Sequence, residues 1–248
     1  MAGGALVIDE VREALGVQDG LVLAVLVPNM RGASDALSTG VDELTVTIAA
    51  SPVYNQRNVR RTIAESLQEI GEIVAAASAA SVPVDAVISC AFGSPYEPEI
   101  PVGGVAALVR ILLATGVSAV TLADTTGMAS PVRIAEVLDA VKEEAPGLDL
   151  GLHLHETRGT ALANAYAALL LGVTRFDCSV GGLGGSPFAA GAGGNLSTED
   201  FVSFLDTLGV ETGIELSALL EVASHLPSLV GRDIESRVRA SADEPSFS

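Results

Sequence analysis

The chain has 248 residues, of which 49% are hydrophobic and only 4% aromatic. This length buries one large core, usually as a single α/β barrel or an open α/β sheet. The formal net charge of −18 repels phosphate backbones, so we expect no nucleic-acid partner. The sequence has no uncharged apolar run of membrane length and no signal or transit segment, which predicts a cytoplasmic protein without a membrane partner.

Apolar runs of strand length alternate with amphipathic segments of helical length along the chain, which is typical of βα units around a parallel sheet. The predicted strands are residues 21–27, 43–48, 82–90, 119–123, 148–152 and 175–179. The first of them is a continuous apolar run, so we expect it to be buried on both faces. The predicted helices are residues 1–20, 30–39, 62–80, 101–115, 130–145, 159–171, 197–208 and 216–230.

Chemically capable side chains mostly follow the strands, as expected of a TIM barrel with its site at the carboxyl ends. These residues are Asn29, Asn58, Glu97, Asp124, His153, His155 and Asn195. A complete TIM barrel has eight strands, so six βα units predict an incomplete barrel followed by C-terminal helices. We expect one domain over residues 1–239 and a disordered tail over residues 240–248.

Two segments allow more than one interpretation. Residues 51–61 are predicted to form a polar loop rich in arginine, which is either solvated or binds an anion. Cys90 and Cys178 follow predicted strands without metal or redox spacing, so we expect buried free thiols rather than a disulfide.

His153 and His155 are two of the three histidines in the chain, and they follow a predicted strand. Because side chains alternate along a strand, both imidazoles are expected on the same face. They form either half of a metal site or a pair of histidines that is solvated or satisfied in the core. The spacing alone leaves both interpretations open.

Two longer motifs carry a family resemblance. The first begins Leu152-His-Leu-His-Glu-Thr-Arg-Gly, and the second reads Phe176-Asp-Cys-Ser-Val-Gly-Gly-Leu-Gly-Gly-Ser-Pro-Phe-Ala-Ala-Gly-Ala-Gly-Gly-Asn. Val27-Pro-Asn, Ser89-Cys-Ala-Phe-Gly-Ser-Pro-Tyr-Glu and Asp124-Thr-Thr-Gly match in the same order. The chain therefore resembles the hydroxymethylglutaryl-CoA lyases, in the metal-dependent TIM-barrel lyase and synthase superfamily. Isopropylmalate and homocitrate synthases lack Gly-Leu-Gly-Gly-x-Pro-Phe-Ala, which favours the lyase branch.

The resemblance implies retro-Claisen cleavage of a 3-hydroxy-3-methylacyl-CoA to acetyl-CoA and acetoacetate, as in leucine degradation and ketone-body formation. It implies a divalent cation, Mg²⁺ or Mn²⁺ with Zn²⁺ as the alternative, bound by His153, His155 and Asn195. By the same resemblance His153 also moves a proton, Asp124 lies near the substrate, and residues 181–194 form a lid. The expected partner is an acyl-CoA substrate, and a homodimer is compatible with the family.

The chain departs from the family at the lid, where Ser186 replaces a catalytic cysteine, and at Ser94, where a cysteine is also expected. A hydroxyl is a far weaker acid than a thiol with a pKa near 8.5. Ser186 therefore leaves open an alternative, a lyase for a different 3-hydroxyacyl-CoA.

A second departure concerns the first βαβ segment of the family, including its first two strands. That segment carries an Arg-Asp-Gly motif whose Asp is the fourth metal ligand, and it has no counterpart in this sequence. We expect Met1 to be an internal residue of a longer protein. Residues 1–248 alone are then expected to bind metal weakly and to lack lyase turnover; the alternative is a truncated, non-catalytic remnant.

Overall fold

The computed structural model describes residues 4–16, 20–185 and 193–242, and its six strands form one parallel sheet. The strands pair in chain order, so each βα unit adds a strand beside the previous one. The sheet curls into a half-barrel, which confirms the prediction of an incomplete TIM-type barrel. The strands are β1 (Ala24–Leu26), β2 (Glu43–Ala49), β3 (Val84–Ser89), β4 (Ala119–Ala123), β5 (Leu150–His153) and β6 (Arg175–Asp177).

Helices cover the convex face of the sheet and continue after β6. They are α1 (Gly4–Leu15), α2 (Met30–Leu37), α3 (Pro52–Asn58), α4 (Ile63–Ala79), α5 (Val102–Thr115), α6 (Pro131–Glu144), α7 (Ala161–Leu170), α8 (Thr198–Thr207), α9 (Leu216–Val230) and α10 (Arg237–Ala242). A short 3₁₀ turn spans Val180–Gly182. Within the described ranges, no helix is both long and apolar enough to cross a membrane.

Alternation along the strands divides the core from the concave face. On β2, Leu44, Val46 and Ile48 are buried in the main core, whereas the intervening residues are only partly buried. A parallel strand covered by helices on one side places every second side chain against them. The concave face therefore carries the polar residues of the sheet.

One arginine braces this concave face across several strands. Arg175 at the start of β6 donates from Nη1 to Asp85 Oδ2 of β3 over 3.2 Å, and Thr121 Oγ1 of β4 donates to the same oxygen over 2.7 Å. The guanidinium passes over Gly151 of β5, where an added Cβ would lie 2.9 Å from Arg175 Cζ. Because Gly151 has no side chain, Arg175 can reach across β5 and link β6 to β3. Arg175 lies two residues before Asp177, which reaches the site.

The structure corrects the expectation that the first strand is buried on both faces. Strand β1 pairs only with β2 among the described residues, and Leu26 is 51% exposed. Its apolar run has the composition of a central strand, yet it lies at an edge of the sheet. Composition alone does not reveal whether a strand has a second neighbouring strand in the sheet.

Two further boundaries differ from the predictions. Residues 51–61 contain helix α3, which Ser51 caps by accepting from Tyr54 N over 2.9 Å. This short helix was not predicted because its residues are mostly polar and show no apolar stripe at helical spacing. Helix α10 includes residues 240–242 of the segment expected to be a tail, and residues 243–248 lie outside the described ranges.

Candidate functional site

The two histidines of the first motif converge at the carboxyl end of β5, as predicted. His153 is the last residue of β5, and its Nε2 atom lies 3.3 Å from Nε2 of His155. The ring planes meet at 62°, with centroids 5.2 Å apart. Both Nε2 atoms can therefore face the same small ligand.

The glycine-rich motif returns to this point and pairs with the histidine segment. His155 and Asn195 form an antiparallel bridge, flanked by a bond from Glu156 N to Gly194 O of 2.9 Å. On its other side, Asn195 N donates to Gly182 O over 3.1 Å. A Cβ on Gly194 would lie 2.1 Å from that same oxygen, so only glycine allows this approach.

The side chain of Asn195 is held in place by its nitrogen, which leaves its oxygen available to a ligand. Its Nδ2 atom donates to Leu183 O over 2.8 Å, whereas Oδ1 is buried and has no hydrogen-bond partner within the described ranges. A buried acceptor without a partner is costly unless a ligand satisfies it. The carboxamide oxygen and two imidazole nitrogens are donors that suit a divalent cation, so these residues fit the implied metal.

Each imidazole is oriented through its other nitrogen. His153 Nδ1 lies 3.5 Å from Asp177 Oδ2, and His155 Nδ1 lies 3.2 Å from the carbonyl oxygen of Gly193. Partners of this kind fix the ring orientation of metal-binding histidines. Burial lowers the pKa of His155, and the neighbouring His153 lowers it further, which favours the neutral imidazole that a metal requires.

Asp124 joins the group from the end of β4. Its backbone N–H donates to His153 O over 2.8 Å, and its Oδ1 accepts from Met128 N and Ala129 N over 2.8 and 3.1 Å. Its Oδ2 is buried and has no hydrogen-bond partner in the part of the chain that the structure describes. Burial raises the pKa of Asp124 to about 6, against the lowering effects of those hydrogen bonds and of Arg158 and His153.

The comparisons with known proteins agree with this geometry. The family model described as HMGL-like matches residues 4–226. The hydroxymethylglutaryl-CoA lyase YngG of Bacillus subtilis is 38% identical over 228 residues, which cover 92% of this chain and 76% of that protein. The mitochondrial hydroxymethylglutaryl-CoA lyase of Gallus gallus is 38% identical over 233 residues, covering 94% and 78% respectively.

The chain belongs to the HMGL-like family. It is a carbon–carbon lyase of the hydroxymethylglutaryl-CoA lyase type. A solved structure of the Bacillus subtilis lyase has a TM-score of 0.89 at 37% identity, covering 96% of this chain and 80% of that one. The Acinetobacter baumannii lyase, in complex with coenzyme A and 3-methylmalate, has a TM-score of 0.90 at 36% identity, covering 100% and 79%.

The structure of this lyase leaves the serine predictions largely open. Ser186 falls in residues 186–192, outside the described ranges, so its catalytic role stays a prediction. Ser94 is buried, donates to Ser51 Oγ over 3.3 Å and accepts from Tyr96 N over 3.2 Å. These bonds stabilise the loop after β3, which gives Ser94 a structural role.

One site-supporting residue of the lyase escaped the sequence analysis. Glu199 is fully buried, and its two carboxylate oxygens accept from Gly181 N over 3.1 and 2.9 Å. Ser197 caps α8 by accepting from Asp200 N. The Glu199 carboxylate holds the backbone of Gly181, which begins the glycine-rich stem (residues 181–185 and 193–195). Glu199 and Gly181 are 18 residues apart in the sequence, so a local motif cannot predict this contact.

A second missed residue is Arg158, which is exposed in the loop after β5. Its positive charge contributes to lowering the pKa of Asp124, against burial. Among the residues that the structure describes, no three or more His, Cys, Asp or Glu side chains group around a common metal position. The donor set therefore depends on the asparagine, which a search for acidic and histidine ligands overlooks.

Proposed function

We propose that this lyase cleaves hydroxymethylglutaryl-CoA to acetyl-CoA and acetoacetate, with Mg²⁺ or Mn²⁺ held by His153, His155 and Asn195. The observation that supports this most is the pair of Nε2 atoms 3.3 Å apart, together with a buried Asn195 oxygen that has no hydrogen-bond partner among the described residues. Both imidazole nitrogens and the Asn195 oxygen would together hold the cation.

A bound divalent cation would lower the pKa of the tertiary hydroxyl of the substrate and stabilise the carbonyl oxygen formed from it. His153 takes the hydroxyl proton at Nε2 only while that nitrogen is not bound to the cation, and Asp177 Oδ2, 3.5 Å from Nδ1, orients the ring. The electron pair of the O–H bond forms the new carbonyl. The bond between C2 and C3 breaks, and its electrons form the enolate of acetyl-CoA.

The enolate must then take up a proton at C2. Ser186 is a weak acid for this step, because an alkyl hydroxyl holds its proton much more tightly than a thiol. Asp124 offers an alternative donor, since its pKa is raised to about 6 and its Oδ2 is buried without a partner. A fraction of Asp124 is thus protonated near neutral pH.

The carboxylate that the family adds to the metal site is not part of residues 1–248. The 248-residue chain is therefore expected to bind metal weakly and to turn over slowly by itself.

Ser186 also motivates a second candidate, a lyase for another 3-hydroxyacyl-CoA. A panel of 3-hydroxyacyl-CoA thioesters, assayed with the same protein and metal, separates the two candidates by their kcat/KM values. A role in leucine catabolism, a cytoplasmic location and a homodimer also stay predictions.

The direct test is acetoacetate formation from hydroxymethylglutaryl-CoA with Mn²⁺, by the full natural protein. We expect His155→Ala to lower kcat/KM by at least about 100-fold, because a metal ligand is lost. The control is His225→Ala, which removes the exposed third histidine on α9 and should leave the rate unchanged. Equal rates for both variants, or no cleavage by the unsubstituted protein, would contradict the proposal.

A further inference from the structure

The carbonyl group that orients His155 belongs to a residue with little conformational preference of its own. His155 Nδ1 lies 3.2 Å from the carbonyl oxygen of Gly193. Glycine adopts many backbone conformations at similar cost, so the contacts around it decide where its carbonyl points. The contacts of Gly193 therefore determine how the imidazole of His155 is held.

Thr157 makes one of these contacts. It lies in the loop between β5 and α7, two residues after His155, and its Oγ1 accepts from Gly193 N over 2.9 Å. On the other side of the same carbonyl, Gly194 O accepts from Glu156 N over 2.9 Å. The carbonyl of Gly193 is thus held between two hydrogen bonds, one before it and one after it along the backbone. Loss of the first bond would let the carbonyl rotate away from His155.

Close backbone packing brings Gly193 within reach of the threonine hydroxyl. A Cβ on Gly193 would lie 2.8 Å from Thr157 Cα and 3.1 Å from Thr157 N. The backbone of the glycine-rich stem therefore lies directly against the backbone of the loop after β5. A side chain at position 193 would separate the two segments and break the hydrogen bond to Thr157.

A second glycine confines the side chain of Thr157 from the loop after β4. Gly127 has a φ of +62°, and a Cβ there would lie 2.4 Å from Thr157 Cβ and 2.5 Å from Thr157 Oγ1. A β-branched side chain has few favourable χ1 rotamers, and this contact restricts Thr157 further. The hydroxyl oxygen is therefore already directed at Gly193 N before a metal binds.

The orientation of His155 matters because its two ring nitrogens have different tasks. A neutral imidazole has one donor and one acceptor nitrogen, so a hydrogen bond from Nδ1 to Gly193 O leaves the lone pair on Nε2. That Nε2 atom lies 3.3 Å from Nε2 of His153, at the candidate metal position. Groups that orient a metal-binding histidine contribute roughly 10- to 100-fold to metal affinity.

We propose that Thr157 is a positioning residue of the metal site, which orients His155 through the backbone of Gly193. This inference rests on the metal-binding role of His155 in the proposed function. The hydroxyl group of Thr157 carries the effect, because it accepts the hydrogen bond, whereas the methyl group only fills space.

The test is a titration of the full natural protein with Mn²⁺, in which electron paramagnetic resonance measures the free ion. Thr157→Val keeps the shape of the side chain but removes the acceptor, and it should raise the Kd for Mn²⁺ about tenfold. Thr157→Ser keeps the hydroxyl and should raise the Kd less than about threefold. The control is Thr207→Val, the same exchange at the exposed last residue of α8, which should leave the Kd unchanged.

The order of the two variants separates positioning from packing. A role in packing alone predicts the reverse order, because valine keeps the methyl group and serine does not. Valine binding Mn²⁺ as tightly as threonine, or serine binding it more weakly than valine, would overturn the inference. Circular dichroism checks that each variant is folded. Thr157→Ala removes both groups and provides a second comparison, since it should bind Mn²⁺ as weakly as Thr157→Val.

A double substitution tests whether Thr157 acts through His155. Adding Thr157→Val to His155→Ala should change the Kd by less than about twofold, because the ring that the threonine orients is already absent. A further loss of about tenfold in that background would overturn the inference.

Metal binding and turnover are measured separately, so the two proposals can fail separately. Mn²⁺ binding that depends on the Thr157 hydroxyl, with no cleavage of hydroxymethylglutaryl-CoA, would support the positioning role and contradict the proposed function. Cleavage by the unsubstituted protein, with Mn²⁺ binding that Thr157→Val leaves unchanged, would support the function and overturn the positioning role.

Discussion

The two sides of the half-barrel differ in how completely they are built. At β4 to β6, the strand ends, the glycine-rich stem and α8 are joined by hydrogen bonds around His153, His155 and Asn195. At β1, a three-residue strand has one neighbour among the described residues and leaves Leu26 half exposed. Site geometry is thus fixed by contacts within the later part of the chain, and the early edge contributes little to it.

The largest expected effect comes from the stem that positions Asn195. Gly194→Ala should lose metal binding and destabilise the fold by about 3 kcal/mol or more, because the new Cβ would lie 2.1 Å from Gly182 O. Urea denaturation and Mn²⁺ titration measure both effects. The control is Gly103→Ala on α5, where a Cβ meets nothing within 4 Å and alanine should stabilise the helix by about 0.5 to 1 kcal/mol. A neutral Gly194→Ala would show that the stem is not tightly packed.

A pH-dependent effect is expected at Asp124. Its folded-state pKa is raised from 3.8 to about 6, so ionisation destabilises the fold as pH rises through this window. Below about 3 the carboxyl is protonated in both states and the cost vanishes. Asp124→Asn should therefore be about 2 to 3 kcal/mol more stable than the unsubstituted chain at pH 8, with only a small part of that gain left at pH 4.

Urea denaturation at the two pH values measures this difference. The control is Asp139→Asn, the same exchange at an exposed position on α6. If Asp124→Asn were the less stable protein at pH 8, ionised Asp124 would have to be satisfied by contacts that the structure does not show.

A smaller effect is expected at the lid. Ser186→Cys should raise kcat by about tenfold, since a thiol donates a proton to an enolate more readily than a hydroxyl. The rate is measured with hydroxymethylglutaryl-CoA and Mn²⁺, using the full natural protein. Ser228→Cys on the exposed face of α9 is the control. An unchanged kcat would assign the proton to another donor, with Asp124 as the first candidate.

The smallest effect is expected at the open edge. Leu26→Lys should change the free energy of unfolding by less than about 0.5 kcal/mol, because the side chain is already 51% exposed. It should also reduce concentration-dependent association, since a charge on an edge strand opposes pairing. Light scattering measures the association, and Leu152→Ala, at a fully buried position on β5, should cost about 2 to 5 kcal/mol. A loss of similar size at Leu26 would show that the edge is buried by contacts beyond the described residues.

The sequence predicted the parts of this molecule that depend on local patterns. Alternating apolar runs placed all six strands, and the spacing of His153 and His155 placed both imidazoles on one face. Helix α3 was missed because its residues are polar and its signals, Ser51 and Pro52 at the start, are brief. The exposure of β1 was missed because amino-acid composition does not show how many strands pair with it.

The contacts that complete the site join distant parts of the chain. Asn195 was identified as a ligand only by resemblance, and its bridge to His155 spans 40 residues that no local rule connects. Glu199 lies in the first turn of α8, and its carboxylate accepts from Gly181 N, 18 residues earlier in the chain. Contacts between residues so far apart in the sequence can be recognised only from the three-dimensional structure.

The central claim is that His153 and His155 bind the same cation. Electron spin-echo spectroscopy of Mn²⁺ added to the 248-residue chain at saturating protein counts the coordinated imidazole nitrogens without requiring turnover. We predict two nitrogens for the unsubstituted chain, one for His155→Ala and two for His225→Ala. A spectrum without imidazole nitrogens, or one that His155→Ala leaves unchanged, would contradict the metal site described above.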